Sequence, residues 1–149
     1  MASVKGGNIT NIDATPITKA SSEEAGGKLR VWHDTYEASS LASGSDITMA
    51  RLPAGSTVHN VVLKADALGG SSTLIVGDSS DDNRFIDAVG TWNVAGQSQS
   101  MWAGSSTGAP VPAVTGLGYR YTSETDIVIT TGGASISGTI FLWVVYSVE

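Results

Sequence analysis

The segment 136–148 limits the fold more than any other part of this sequence. Ile140, Leu142, Val144 and Tyr146 fall on one face of an extended chain, with Phe141, Trp143 and Val145 on the other. Side chains alternate along a strand, so one that is apolar on both faces must be central in its sheet or covered twice. Trp143 is expected in the core. The unbroken apolar run, 140–146, has seven residues, against the roughly 20 that a membrane-crossing helix needs. Helices in general are disfavoured: Leu, Glu, Lys and Gln supply only 19 of 149 residues, whereas Val and Ile supply 24 and Thr 15. That balance excludes a helical bundle and fits a doubly wound α/β fold poorly.

Upstream, alternation marks further strands. Residues 28–37 place Leu29, Val31 and His33 on one face, and Arg30, Trp32, Asp34 and Tyr36 on the other. In 46–52, Ile47 and Met49 share a face, and Pro53-Ala54-Gly55 turns the chain into 57–65. There Val58 and Val61 cannot share a face of a regular strand, so a bulge is expected at Asn60. Gly69-Gly70 leads into 72–76, and 84–89 reads as a short strand or one helical turn. Leu117, Tyr119 and Tyr121 alternate with small or polar residues, 126–131 continues, and Gly132-Gly133 turns into the last strand. Residues 90–114, rich in Gly, Ser, Ala and Gln, read as a long loop of the kind that is functional or interface-forming.

About eight strands separated by Gly-rich turns predict an all-β domain over 28–149. The best fit is an antiparallel two-sheet β-sandwich of the jelly-roll type, with an immunoglobulin-like sandwich second because the Cys pair is absent. Residues 1–27 form an extended N-terminal arm, with Ile9, Ile12 and Ile17 as anchors. An arm so poor in large side chains needs something to hold it down, and a neighbouring subunit is the preferred candidate.

Charge narrows the partners. Eight Lys and Arg against fourteen Asp and Glu leave a net −6, with no basic run. Nucleic acid and anionic membranes, which need a basic footprint, are therefore not expected partners. Only 15% of residues are charged, against about 25% in ordinary domains, so the surface suits contact with protein or glycan. Without cysteine there are neither disulfides nor thiolate metal sites. Residues 1–20 lack the pattern of a secretory leader, so synthesis in a cytosol is expected.

Each chemical motif has a plainer explanation. Gly104-Ser105-Ser106-Thr107-Gly108 matches the nucleophile elbow G-x-S-x-G but lacks the strand before it and the helix after it. His33 and His59 stand alone within strands, without metal-ligand spacing. Read as a calcium loop from Asp78, the sequence has Asn83 where glycine is required and Val89 where a bidentate glutamate is required. A polar turn in which Arg84 neutralises a neighbouring carboxylate fits better. Trp92 and Trp102 lie in the 90–114 segment, where a large aromatic must be buried beneath the loop or in a partner; subunit contact is favoured over sugar stacking. No catalytic residues, cofactor or metal are assigned, and an enzyme is not expected.

Ala50-Arg51-Leu52-Pro53-Ala54-Gly55 running into a Val-rich strand is one part of a wider pattern. Val76-Gly77-Asp78 with Arg84-Phe85 follows, and then Thr115-Gly116-Leu117-Gly118-Tyr119 through Thr125-Asp126-Ile127-Val128 to the apolar closing strand. Together these resemble the jelly-roll decoration, or cement, proteins of tailed bacteriophage heads, over about residues 28–149. The resemblance implies a structural virion protein on the capsid surface, assembled in the host cytoplasm. It also implies a homotrimer that binds the major capsid protein and bridges its subunits. The alternative is a glycan- or receptor-binding β-sandwich module of a phage tail or adhesin. Exposed tryptophans beside Asp or Asn would favour that alternative.

Overall fold

The computed structural model describes residues 15–16, 28–87, 92–102 and 116–149. The described residues form nine strands and no α-helix. They are β1 (Leu29–Leu41), β2 (Asp46–Leu52), β3 (Ser56–Ala65), β4 (Thr73–Asp78), β5 (Asp81–Ile86), β6 (Gln97–Ser100), β7 (Tyr119–Arg120), β8 (Thr125–Gly132) and β9 (Ile136–Val148). All pairings are antiparallel. Sheet A has the order β1-β9-β3-β6, with β7 also on β3, and sheet B has the order β2-β8-β4-β5. With the two-residue β7 set aside, the chain changes sheet at every step except the β4–β5 hairpin. That is the wiring of two Greek keys in a jelly roll.

The core lies between the sheets. Val58, Val61, Leu63, Ile140, Leu142 and Val144 from sheet A meet Leu52, Leu74, Val76, Phe85, Ile127 and Ile129 from sheet B. Closing one β3 face with both Val58 and Val61 requires the expected bulge. The register shifts between Val58 and Asn60, with His59 as the extra residue, and both valines are buried. A second bulge at Met49 lets Ile47, Met49, Ala50 and Leu52 all be buried from β2. At the β8–β9 turn Gly133 has φ +74, and a Cβ there would strike the Ser71 carbonyl, so glycine is needed for both backbone and space.

Two expectations change and one open choice closes. Arg84 to Ile86 belong to strand β5, which begins at Asp81, and residues 88–89 lie outside the described residues. The 90–114 segment is not loop throughout: Gln97–Ser100 pair with Val62 to Ala65 as β6. Trp143 is half-buried on the outward face of β9, stacked on Phe141 with ring centroids 5.9 Å apart. β9 is central, as its pattern requires, but nothing among the described residues covers its outer face, so only one side is core.

Candidate functional site

The most elaborate polar cluster is built on the β4–β5 hairpin. Gly77 offers no side chain, so the Asp81 carbonyl approaches where a Cβ would stand. Asp78 then closes the turn. Its Oδ1 accepts from the Ser80 backbone N–H at 2.9 Å, the Ser80 hydroxyl at 2.7 Å and the Asp81 N–H at 3.1 Å. Its Oδ2 accepts from Arg84 Nε and from the Tyr121 hydroxyl, each at 2.6 Å. The Arg84 guanidinium also donates to Ser80 Oγ at 2.9 Å and lies 3.9 Å from the centre of the Tyr119 ring.

Asp78, Arg84 and Tyr121 are all buried. Burial works against the Asp78 carboxylate. The hydrogen bonds from Arg84, Tyr121 and Ser80 outweigh it and hold the carboxyl well below the usual range. Burial, and then the charged Asp78, push the Tyr121 phenol well above its ordinary value. Burial likewise opposes the Arg84 charge, but Asp78 more than offsets it and the guanidinium stays protonated. Both carboxylate oxygens of Asp78 are already taken by donors, which leaves it poorly suited to a cation. Among the described residues no cluster of three potential metal ligands occurs. The network is a clasp: it ties the β4–β5 edge of sheet B to the 119–121 segment beside sheet A.

The histidines are ordinary. His59 Nε2 lies 2.8 Å from Ser147 Oγ, but Ser147 is buried, too enclosed to attack a substrate. His33 is exposed on β1. The 104–108 motif lies outside the described residues, as do Ile9, Ile12 and Ile17.

The tryptophans divide by role. Trp92 is 1% exposed and packs inside its own fold, so it offers no face to a partner. Trp102 is 63% exposed and sits beside β3 at the His59 bulge, where its Nε1 donates to the His59 carbonyl at 3.0 Å. Trp32 does the same at the other bulge, donating to the Met49 carbonyl at 3.0 Å. A bulge leaves the extra residue out of the ladder, and in both places an indole takes up the released acceptor. This pairing of tryptophan with bulge was not legible beforehand, because Trp32 and Met49 are far apart in sequence.

The two outer faces differ in chemistry. On sheet A, Val31 and His33 on β1 lie opposite Val145 and Trp143 on β9, and these lie opposite Asn60 and Val62 on β3. Because paired residues share a face, an aromatic and aliphatic band crosses the sheet. On sheet B, Asp46, Thr48 and Thr130 join Asp82 and Gly44 around an open polar depression of about 540 Å³. β1 itself is exposed along most of its length, on both faces, with only Ala38 buried.

No protein-family model matches the sequence, and no curated protein matches it. Solved structures do. A chain of the cyanophage Pam1 capsid asymmetric unit superposes with a TM-score of 0.62 at 21% identity, covering 83% of this chain and 86% of that one. A chain from the capsid of Ralstonia phage GP4 gives 0.61 at 18% identity, with 83% and 86% covered. A chain from the acidic stable capsid structure of Helicobacter pylori bacteriophage KHP30 gives 0.55 at 16% identity, with 80% and 87% covered. At these identities the likeness is one of fold, and this chain shares that fold with a chain in each of three phage capsids.

Proposed function

We propose that the protein is a structural component of a bacteriophage virion. In this reading it is a decoration or cement protein that binds the major capsid protein on the outer surface of the head and stabilises contacts between capsid subunits. The observation that carries the reading is the shared fold, which spans at least 80% of both chains in three phage capsid structures. The surface chemistry supports it. A chain with 15% charged residues and a band of half-exposed aromatic and aliphatic side chains across sheet A is suited to lie against protein. The Asp78 clasp is structural, so the reading needs neither catalysis nor a cofactor. Copies associate as a homotrimer, and several modest contacts per trimer multiply into firm attachment.

Residues 1–27 and 90–114 are proposed to carry the capsid contacts, with Ile9, Ile12, Ile17 and the exposed Trp102 as anchors. Deleting residues 2–20 is expected to leave a folded protein that no longer decorates heads, checked by imaging particles lacking the native protein after addition of each form. Full occupancy by the truncated form would remove the arm from the mechanism.

One observation favours a second reading, glycan binding. Trp32, 38% exposed, shares an open depression of about 290 Å³ with Asp34 and Arg51. An aromatic face beside a carboxylate and a guanidinium suits a sugar ring. A glycan-array signal abolished by Trp32→Ala would establish that reading, and an empty array would leave the virion role unopposed.

A further inference from the structure

β1 is joined to the molecule unevenly. Residues 29–38 pair one for one with 147–138 of β9, and β9 is their only ladder partner, because β1 is the edge of sheet A. Paired residues share a face. Arg30, Trp32, Asp34 and Tyr36 therefore point to the side on which Tyr146, Val144, Leu142 and Ile140 enter the core. Leu29, Val31 and His33 point to the outer side. Yet all nine residues from Leu29 to Glu37 are exposed, on both faces. Sheet B covers β9 and stops short of this part of β1.

The strand changes character at its bulge. The register slips between Ala38 and Leu41, Ser40 sits there at φ +52, and its N–H donates to Ser137 Oγ at 2.9 Å. Ala38 is buried, and Leu41 packs against the core. Just beyond, Thr131 of β8 grips the chain. Its Oγ1 donates to the Ala42 carbonyl at 2.9 Å and accepts from the Ser45 N–H at 3.0 Å, and its carbonyl accepts from the Gly44 N–H at 2.7 Å. Before the bulge there is no such grip. Among the described residues one hydrogen bond runs from 29–37 to sheet B, from Trp32 Nε1 to the Met49 carbonyl at 3.0 Å.

A segment with few buried apolar contacts, and with backbone hydrogen bonds open to water on both sides, belongs to the low end of local stability. Elsewhere in the sandwich burial offsets the entropy lost in ordering the chain; here the β9 contacts and the Trp32 bond must do so. We infer that residues 29–37 form a strap that unzips from β9 as one unit, about the Ala38–Leu41 bulge, while the rest of the sandwich stays folded. The Trp32–Met49 bond is its latch. Opening bares the ladder edge of β9. It also dismantles the depression over Met49 and Ala50, since Trp32 and Asp34 are two of its walls. That depression exists only while the strap is closed. The strap does not depend on the virion role, so either can fail alone.

The test is native-state hydrogen exchange of the full chain, read residue by residue by NMR in low concentrations of denaturant. The N–H groups that bond across β1 and β9 are expected to exchange through one shared opening, of lower free energy than the opening that frees those between β3 and β9. Trp32→Phe keeps an aromatic ring and removes the indole N–H. It is expected to speed exchange of the whole strap together by roughly 2–12-fold, the worth of one hydrogen bond. Ile129→Val, at a fully buried site in sheet B, is expected to speed the β3–β9 amides by roughly 2–12-fold and to leave the strap unchanged. Strap amides that exchange with the β3–β9 amides, and quicken with them in Ile129→Val, overturn the inference, because the strand then leaves only when the sandwich unfolds. So do strap amides with unrelated rates that ignore denaturant, because that is fraying rather than one unit. Unchanged strap exchange in Trp32→Phe overturns the latch. The wild-type pattern decides whether the strap opens as a unit even if a variant fails to fold.

Discussion

Arg84→Ala is expected to destabilise the fold by about 3–5 kcal/mol, because it leaves the buried Asp78 carboxylate without its cation. The loss is read from the denaturant midpoint. Asp78→Asn removes the nearest counter-charge of the guanidinium, which keeps the Tyr119 ring and Asp81 Oδ2 at 3.7 Å, so a smaller loss is expected. Replacing both with apolar residues of similar volume, as in Asp78→Leu with Arg84→Met, is expected to cost much less than the two single losses summed, since neither charge is then stranded. Full additivity would mean that the two side chains do not act as a pair.

The same cluster fixes how stability depends on pH. The folded Asp78 carboxyl is held below its unfolded value of about 3.9, so its contribution is complete above that pH. It is lost as pH falls further, when the unfolded chain binds a proton that the folded chain refuses. Tyr121 has the opposite sign. Its folded phenol lies above the unfolded value of about 10, so its contribution is complete below that pH and is lost as pH rises past it. Stability should therefore form a plateau, roughly pH 5–9, with a fall on each side. In Asp78→Asn the acid limb should be shallower, and in Tyr121→Phe the alkaline limb. An acid limb unchanged by Asp78→Asn would assign the acid sensitivity to another carboxylate.

Trp92→Ala should be the most damaging single truncation in the core, at about 3–5 kcal/mol. Trp92 is the largest of the fully buried side chains, and its backbone holds two parts of the chain together. The Trp92 N–H donates to the Ser72 carbonyl at 3.0 Å, and its carbonyl accepts from Leu68 N–H at 2.7 Å. Trp102→Ala loses one hydrogen bond at an exposed site and should cost about 0.5–1.5 kcal/mol. Attachment to heads is expected to rank them in reverse. A folded Trp92 variant still decorates particles, whereas the Trp102 variant binds them more weakly. Equal stability losses for the two would contradict the division between core and surface.

What could be read beforehand followed from local pattern. The bulge in β3 was legible because Val58 and Val61 are both apolar and a regular strand cannot bury both. The two-sheet sandwich followed from strand spacing and turn chemistry. The pairing of Arg84 with a nearby carboxylate needed only six residues of chain. Tyr121, which completes that clasp from 43 residues away, carries no local sign of its role. β6 was hidden for a related reason. Gln97–Ser100 carry no apolar side chain, so no hydrophobic pattern marks them, and their strand exists because β3 offers an open ladder. Trp143 lies outside the core: alternation shows that both faces of β9 are apolar but not which one the second sheet covers.

The pairing of β1 with β9 makes the closing of sheet A wait for the last strand. The first strand of the sandwich finds its ladder partner in the last, with Leu29 opposite Ser147. At about 5–20 residues per second a ribosome takes roughly 5–20 s to pass from the end of β1 to the start of β9, and through that time β1 has no partner. Sheet A therefore cannot close until β9 has been made. The slow step is a long-range closure of the kind that limits folding in sandwiches generally.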